Sequence, residues 1–333
     1  MRTRNRVAVS ALAATLALSG CSDTPAAQDD STSRAQISPA FDLPEQRAYP
    51  EGIAVDARNG DVYVGSFTTG AIYRRPAGRA RAEIFLPAGT DGRHTANGLR
   101  VDSRGRLWVI DHTTGVTVYD TGTRAPVARF DAPRQDQPFL NDLAFTPDGS
   151  AYLTDSVRPV IYRVTPELFD GAAARGGRET LPVYADLTTA TTPGNSTPML
   201  LNGIVADPAG RYLLTVDMAG GGLYRVEIAD APGIARVDLR GGDMIDGDGM
   251  ELLGDTLWVV HNRSNSLSRW SIGANGTTAE LRNRLTDEIL RIPTTVAHDG
   301  DQMLVVSSQF DRGGPMGEGT PVDPFTVFAV RGL

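Results

Sequence analysis

Five residues with side-chain oxygens recur along the chain at spacings that would let them bind one hard metal ion. They are Glu51, Asn97, Asn141, Asn202 and Asp248, and successive members lie 46, 44, 61 and 46 residues apart. A sixth unit of the same kind opens at Pro293, 45 residues after the fifth. Carboxylate and carboxamide oxygens are the ligands that Ca²⁺ prefers, about six to eight at a time.

The segments that these residues open are copies of one unit. In each copy an alternating strand is followed by an Asp, Pro or Gly turn and a second strand rich in Val, Leu, Trp or Tyr. A period in the mid-forties with four short strands per unit is typical of propeller blades. The sequence therefore predicts an all-β, six-bladed β-propeller of four-stranded antiparallel blades, with no helix of core size. A pair of β-sandwiches is the alternative, but sandwich strands need not repeat their side chains in register.

The last repeat ends at its third strand, so blade six lacks an outer strand at the C-terminus. Residues about 38–47 precede blade one and could supply that strand. We therefore predict a ring closed by an N-terminal strand, which removes an exposed sheet edge.

In a propeller the first strand of every blade starts at the same face, so the five side chains should meet at one mouth of the central channel. Unpaired carboxylates crowded there either take up a proton or bind a cation. The alternative, that Asn and Asp cap local turns, would explain one or two positions more readily than five. The pattern predicts one divalent metal ion, Ca²⁺ first, with Zn²⁺, Mg²⁺ or Mn²⁺ also possible. Zn²⁺ would favour His or Cys, which the ring lacks.

The motifs around these residues resemble those of the SMP-30/gluconolactonase/LRE-like propellers, with paraoxonases and squid-type phosphotriesterases as more distant relatives. The resemblance covers about residues 45–330. The matching segments are Pro50-Glu51-Gly52, Leu140-Asn141-Asp142, Leu201-Asn202-Gly203 and Asp248-Gly249-Met250.

The resemblance implies that Glu51, Asn202 and Asp248 bind the metal, and that Asn141 is a further ligand or contacts the substrate. It also implies Asp248 as the general base of a hydrolase that acts on a small ester, with a sugar lactone as the first expectation. A carboxylate on Ca²⁺ is a weak base, so that role requires partial coordination or another residue. Asn97 lies where the family's ligands are less constant, and we place it with the substrate contacts.

Second strands return to the same face, and their last residues should form an outer ring. His261 could act there as an acid–base group or hold the leaving group, because imidazole titrates near neutrality. A purely hydrogen-bonding role is its alternative, and Asp111 and Asp155 are expected to tie strands together. Two Gly- and Pro-rich insertions, 188–201 and 309–324, are placed to border the site as specificity loops or a lid. The outer ring comprises Ser66, Asp111, Asp155, Val216, His261 and Ser307.

The N-terminus has the features of a bacterial lipoprotein signal peptide. Three arginines precede an apolar run of about a dozen residues, and residues 18–21, Leu-Ser-Gly-Cys, resemble a lipobox. We predict a signal peptide over 1–20, a lipidated Cys21 in a flexible tether over 21–40, and the propeller over 41–333. The protein is expected to be exported and anchored to the outer face of the cell membrane. An ordinary secretory signal is the alternative.

Composition excludes several functions. Loss of residues 1–20 removes three arginines and shifts the formal net charge from −8 to −11, which argues against nucleic acid as a partner. The chain has no lysine, and its single cysteine is the predicted lipid site, so Schiff-base and thiol chemistry are excluded. We expect a small-molecule substrate and a monomer. The alternative function is a non-catalytic, metal-stabilised propeller that binds a ligand or protein partner at the cell surface.

Overall fold

The repeated strands fold into six small sheets arranged in a ring, so the prediction of a six-bladed propeller is confirmed. The structure is a computed structural model that describes residues 35–133, 137–190 and 200–333. In every blade the strands follow the chain outwards from the channel and pair antiparallel with their sequence neighbours. The first strands of successive blades lie side by side and form the wall of the channel.

Each blade is built from four consecutive antiparallel strands, numbered here from the channel outwards. Blade one contains Pro50–Val55, Val62–Ser66, Ile72–Arg75 and Glu83–Leu86, and blade two contains Leu99–Val101, Arg106–Asp111, Gly115–Asp120 and Pro126–Asp131. Blade three contains Leu140–Phe145, Ala151–Asp155, Val160–Val164 and Val183–Asp186, and blade four contains Leu201–Ala206, Tyr212–Asp217, Gly222–Glu227 and Ile234–Arg236. Blade five contains Gly247–Leu253, Thr256–His261, Ser266–Ile272 and Thr278–Thr286.

Blade six combines the two ends of the described chain. Its first three strands are Pro293–Asp299, Gln302–Ser307 and Thr326–Arg331, and its fourth is Gln36–Asp42, which pairs antiparallel with Thr326–Arg331. Residues 36–40, predicted as the end of the tether, belong to this strand. The predicted signal peptide, Cys21 and the tether up to residue 34 lie outside the described residues.

Two blades carry a fifth, parallel strand at their outer edge. Arg178–Thr180 adds to blade two and Asp238–Arg240 adds to blade five. The long connection within blade three also contains the helix Pro166–Ala174, whose N-terminus is capped by the Thr165 hydroxyl. Part of the extra length between blades three and four is therefore outer structure. Short 3₁₀ helices span Thr90–Gly92 and Glu288–Leu290.

The hydrophobic core lies between the blades. Trp108 of blade two stacks on Phe130 at a centroid distance of 6.0 Å and meets Phe145 of blade three edge-on at 5.4 Å. Such contacts fix neighbouring blades relative to each other, because buried aromatic rings carry a large share of core burial. Among the described residues, no helix is long and apolar enough to cross a membrane.

Glycines let the first strands approach each other closely beside the channel. A Cβ atom at Gly52 would lie 2.3 Å from the carbonyl oxygen of Asn97, and one at Gly203 would lie 2.4 Å from that of Asp248. Both distances are far inside van der Waals contact, so only glycine fits there. Close packing at these points narrows the channel just where the oxygen-bearing side chains stand.

Candidate functional site

The oxygen-bearing residues stand at β-bulges near the start of the first strands. In five blades the residue before the bulge pairs with the end of the second strand, as Pro50 does with Ser66. The register shifts at the next residue, which is the oxygen-bearing one. A bulge leaves a residue unpaired and redirects its side chain. Glu51, Asn97, Asn141, Asn202 and Asp248 all line one cavity at this mouth.

Strand pairing corrects two residues of the predicted rings. Pro293 pairs with Ser307 and so corresponds to Pro50, one position before the ring. The sixth ring member is Thr294, whose hydroxyl donates to the carbonyl oxygen of Glu51 at 2.8 Å. In the outer ring, Val216 was predicted one residue too early, because Asp217 is the residue that pairs with Leu201.

The amide side chains of the ring present their oxygens to the cavity because their nitrogens are engaged elsewhere. Asn141 Nδ2 donates to Ser156 Oγ at 2.9 Å, and Asn202 Nδ2 lies 3.5 Å from the sulfur of Met218. All ring residues are at least nine-tenths buried. Among the described residues, the buried oxygens without a hydrogen-bond partner include Glu51 Oε2, Asn97 Oδ1, Asn141 Oδ1, Asn202 Oδ1 and Asn262 Oδ1.

Burial and neighbouring carboxylates raise the pKa of both acids in the ring. The pKa of Glu51 lies well above its ordinary value, first because the group is buried and then because Asp248 and Asp142 are close. Burial also raises the pKa of Asp248 to about 8, against the opposing effect of the amide hydrogen bond from Asn262. Without a cation, the mouth therefore holds its protons to unusually high pH.

The opposite end of the channel is crossed by Arg100 from blade two. Its guanidinium donates to the carbonyl oxygen of Met250 in blade five at 3.0 Å and to that of Leu143 in blade three at 3.3 Å. It also lies 3.9 Å from Asp142 Oδ2 and 3.5 Å from Glu251 Oε2. Arg100 thus provides a positive charge on the far side of Asp142, away from the mouth.

The donor set at the mouth fits a hard divalent cation. No Lys, Arg or His lines the described part of this cavity to neutralise Glu51 and Asp248. Among the described residues, no three His, Cys, Asp or Glu side chains are grouped for metal binding, so a metal here would depend on the amides as well. Two carboxylates and three amide oxygens suit Ca²⁺ better than Zn²⁺. Asn97 is as buried as the predicted ligands, and its free Oδ1 places it among the possible donors.

Apolar side chains form the wall above these oxygens. The cavity has a volume of about 370 Å³ and opens at the mouth of the channel. The only polar residues above the ring in its described lining are Ser156 and Asn262, which bond to ring members. The apolar residues of the wall are Phe67, Phe139, Val157, Leu200, Met218, Phe310, Pro315 and Met316.

The structure does not bring His261 to the cavity. Its Nδ1 donates to the carbonyl oxygen of Ile245 at 2.8 Å, and its Nε2 lies 2.7 Å from Ser268 Oγ. The side chain is fully buried, and burial lowers its pKa to about 4. His261 is therefore a neutral residue between strands of blade five, and the hydrogen-bonding alternative describes its position.

Asp111 and Asp155 hold local backbone at the ends of second strands. Asp155 accepts hydrogen bonds from the N–H groups of Phe139 and Val157, and Asp111 accepts one from His94. These contacts position wall residues without lining the cavity themselves. Arg158 is held by Asp155 at 3.0 Å.

Of the two insertions, 309–324 borders the cavity. It contributes Phe310, Pro315 and Met316 to the wall, and its Arg312 carbonyl accepts a 2.9 Å hydrogen bond from the Tyr49 hydroxyl. Most of the other insertion, residues 191–199, lies outside the described residues.

Comparison with known proteins supports the fold. No protein-family model matches the chain, and no curated protein sequence does. A gluconolactonase from Xanthomonas campestris is 14% identical, with a TM-score of 0.62 over 90% of each chain. The likeness is one of fold. At such identities the resemblance to SMP-30/gluconolactonase/LRE-like proteins stays a prediction.

Other similar structures carry different functions. The major allergen Mala s 1 of Malassezia sympodialis is 15% identical, with a TM-score of 0.62 over 87% of this chain and 95% of that one. A catalytically inactive virginiamycin B lyase from Staphylococcus aureus, solved with quinupristin, is 12% identical, with a TM-score of 0.59 over 90% and 99%. A shared propeller thus does not determine the chemistry, which must be argued from the site.

Proposed function

We propose that the protein is a metal-dependent hydrolase of small carboxylic esters, lactones among them, acting at the channel mouth. The observation that carries the proposal is the group of buried oxygens without hydrogen-bond donors on Glu51, Asn97, Asn141 and Asn202. Leaving such groups unpaired costs about 1–3 kcal/mol each, and more where a group is charged. A divalent cation would satisfy all of them at once, and the cavity above leaves room for a ligand.

The chemistry would need no covalent nucleophile. A bound divalent cation would polarise the carbonyl of an ester and stabilise the oxyanion formed by attack of water. The only hydroxyl above the ring, that of Ser156, donates to the carbonyl oxygen of Leu201 and is not free to attack. Water is therefore the nucleophile that the cavity favours.

Asp248 is the residue best placed to accept the proton of that water. It lines the cavity, and its Oδ2 accepts a 3.1 Å hydrogen bond from Asn262 Nδ2, which fixes the orientation of the carboxylate. Burial raises its proton affinity, and coordination lowers it, so this role requires that only one of its oxygens faces the metal.

The proposal is tested by an activity screen on the purified mature protein. Lactones and aryl esters would be supplied with Ca²⁺, Mg²⁺, Mn²⁺ or Zn²⁺ in turn, and turnover is expected with at least one metal and none after chelation. Metal binding by calorimetry without turnover of any substrate would instead support the non-catalytic alternative, in which the ion stabilises a binding propeller.

Export and lipid anchoring form a separate proposal, which depends on the sequence of residues 1–21. The wild-type protein is expected to partition with membranes and detergent in its native host, because lipidation of Cys21 adds a membrane anchor. A Cys21→Ser variant is expected in the aqueous phase, at equal expression. A variant that still partitions with membranes would contradict lipidation at Cys21.

A further inference from the structure

An aromatic ladder runs along one side of the cavity, above Glu51 and Asn97. Phe310 packs on Phe67 at a centroid distance of 5.2 Å. Phe67 stacks on His112 at 5.4 Å with 6° between the planes, and His112 stacks on Phe139 at 4.5 Å with 25°. Four rings from blades six, one and two and from the start of blade three thus form one continuous surface.

The ladder is held in place before any ligand arrives. His112 Nδ1 lies 3.0 Å from Thr95 Oγ1, and the main-chain N–H of Phe139 donates to Asp155. Burial lowers the pKa of His112, so its ring stays uncharged at neutral pH and can stack as the phenyl rings do. A rigid aromatic face binds an apolar partner at little cost in conformational entropy.

The wall offers almost nothing to a hydroxylated ligand. A sugar lactone carries several hydroxyl groups that need hydrogen-bond partners when they leave water, and burying each without one costs free energy. Above the ring, the described lining has only Ser156 and Asn262 as polar groups, and both bond to ring residues. Met218 and Met316 complete the apolar wall with flexible side chains that adapt to irregular shapes.

We propose that the substrate is an apolar ester or lactone, with an alkyl or aryl group that lies on the ladder formed by Phe67, His112, Phe139 and Phe310. Its carbonyl group faces the oxygens of the ring. This inference rests on the proposed function and names its substrate class, which differs from the sugar lactone that the sequence resemblance implies. At about 370 Å³, the cavity suits a small ligand.

The test is a series of δ-lactones that share one ring. The 5-methyl, 5-butyl and 5-hexyl lactones would be compared with the unsubstituted lactone and with a polyhydroxylated δ-lactone. We expect kcat/KM to rise about fourfold for each added CH₂ until the wall is covered, mainly through KM. A polyhydroxylated lactone that is hydrolysed as well as the hexyl lactone would overturn the inference.

Variants of the ladder separate binding from general damage. Phe139→Ala and Phe67→Ala are expected to raise KM for the hexyl lactone at least tenfold and to leave kcat and the KM of the unsubstituted lactone within about twofold, since one lost aromatic contact face is at stake. Ile84→Ala, an exposed apolar residue on the outer strand of blade one, is the control and should change neither. Equal effects on both lactones would argue against the ladder as the determinant.

Binding of unreactive analogues keeps this inference distinguishable from the proposed function. The 5-hexyl δ-lactam and a polyhydroxylated δ-lactam would be titrated into the metal-loaded mature protein by calorimetry. If the hexyl lactam binds more tightly but no ester or lactone is turned over, the hydrolase proposal fails and the apolar ligand class stands. If lactones are turned over but the two lactams bind equally, the apolar class fails and the hydrolase stands.

Discussion

Protein dialysed against EDTA is expected to unfold at a lower temperature than Ca²⁺-loaded protein, and the difference should widen from pH 5 to pH 8. A ligand present at ~1,000 times its Kd stabilises the folded state by about 4 kcal/mol. For a chain of this size, that corresponds to a shift in Tm on the order of 10 °C. Differential scanning calorimetry with and without Ca²⁺ measures it.

The pH dependence follows from the raised pKa values of Glu51 and Asp248. A group with a folded pKa above its unfolded value contributes stability that is complete below the unfolded pKa, near 4. That contribution is lost as the pH rises through the folded pKa, which for Asp248 is about 8. Metal-free protein should therefore weaken from pH 5 to pH 8, where bound Ca²⁺ offsets the charge. A shift in Tm that is equal at both pH values would count against a cation beside these two acids.

Asp248→Asn is expected to reduce kcat/KM for the best ester or lactone by about 10²–10⁴-fold, the usual contribution of a general base. The same change removes one of the two charges at the mouth, so Ca²⁺ should also bind more weakly by calorimetry. Metal-free Asp248→Asn should be at least as stable at pH 8 as metal-free wild type, because a carboxyl with a raised pKa has been replaced by a neutral amide.

The control for this variant is Asp207→Asn. Asp207 is as buried as Asp248 but lies outside the cavity and pairs with Arg211 at 2.8 Å. Its pKa is lowered by the hydrogen bond from Arg211, so this control should lose some stability at neutral pH and keep full activity. Unchanged turnover in Asp248→Asn, or equal losses in the two variants, would remove Asp248 from the mechanism.

The repeat made the fold and most of the ring predictable from sequence. The period near 45 residues located Glu51, Asn141, Asn202 and Asp248, which line one cavity in the structure. It did not reveal the bulge at the start of each first strand. In blade six no acid or amide marks the position, so Pro293 was chosen and Thr294 was missed by one residue.

The wall was less predictable than the ring. Phe67 and Met218 follow the second strands directly, in register with Ser156 and Asn262, and that equivalence was the available signal. Phe310 and Met316 belong to an insertion, whose path is not determined by the repeat. His261 shows the opposite limit. Its place at a strand end was correct, but which side of the sheet its ring occupies depends on packing against Ile245 and Ser268.

Arg100 gives the cavity a single doorway. Because its side chain spans the channel from blade two to blade five, a molecule that enters at the mouth has no exit at the far end. Substrate and product must then use the same passage in opposite directions. An ester enters uncharged and would leave as a carboxylate, past the aromatic rings that admitted it and away from the ion that would hold it. In such a dead-end site the outward traffic of an acid, rather than the arrival of the ester, would limit how fast the next molecule is accepted.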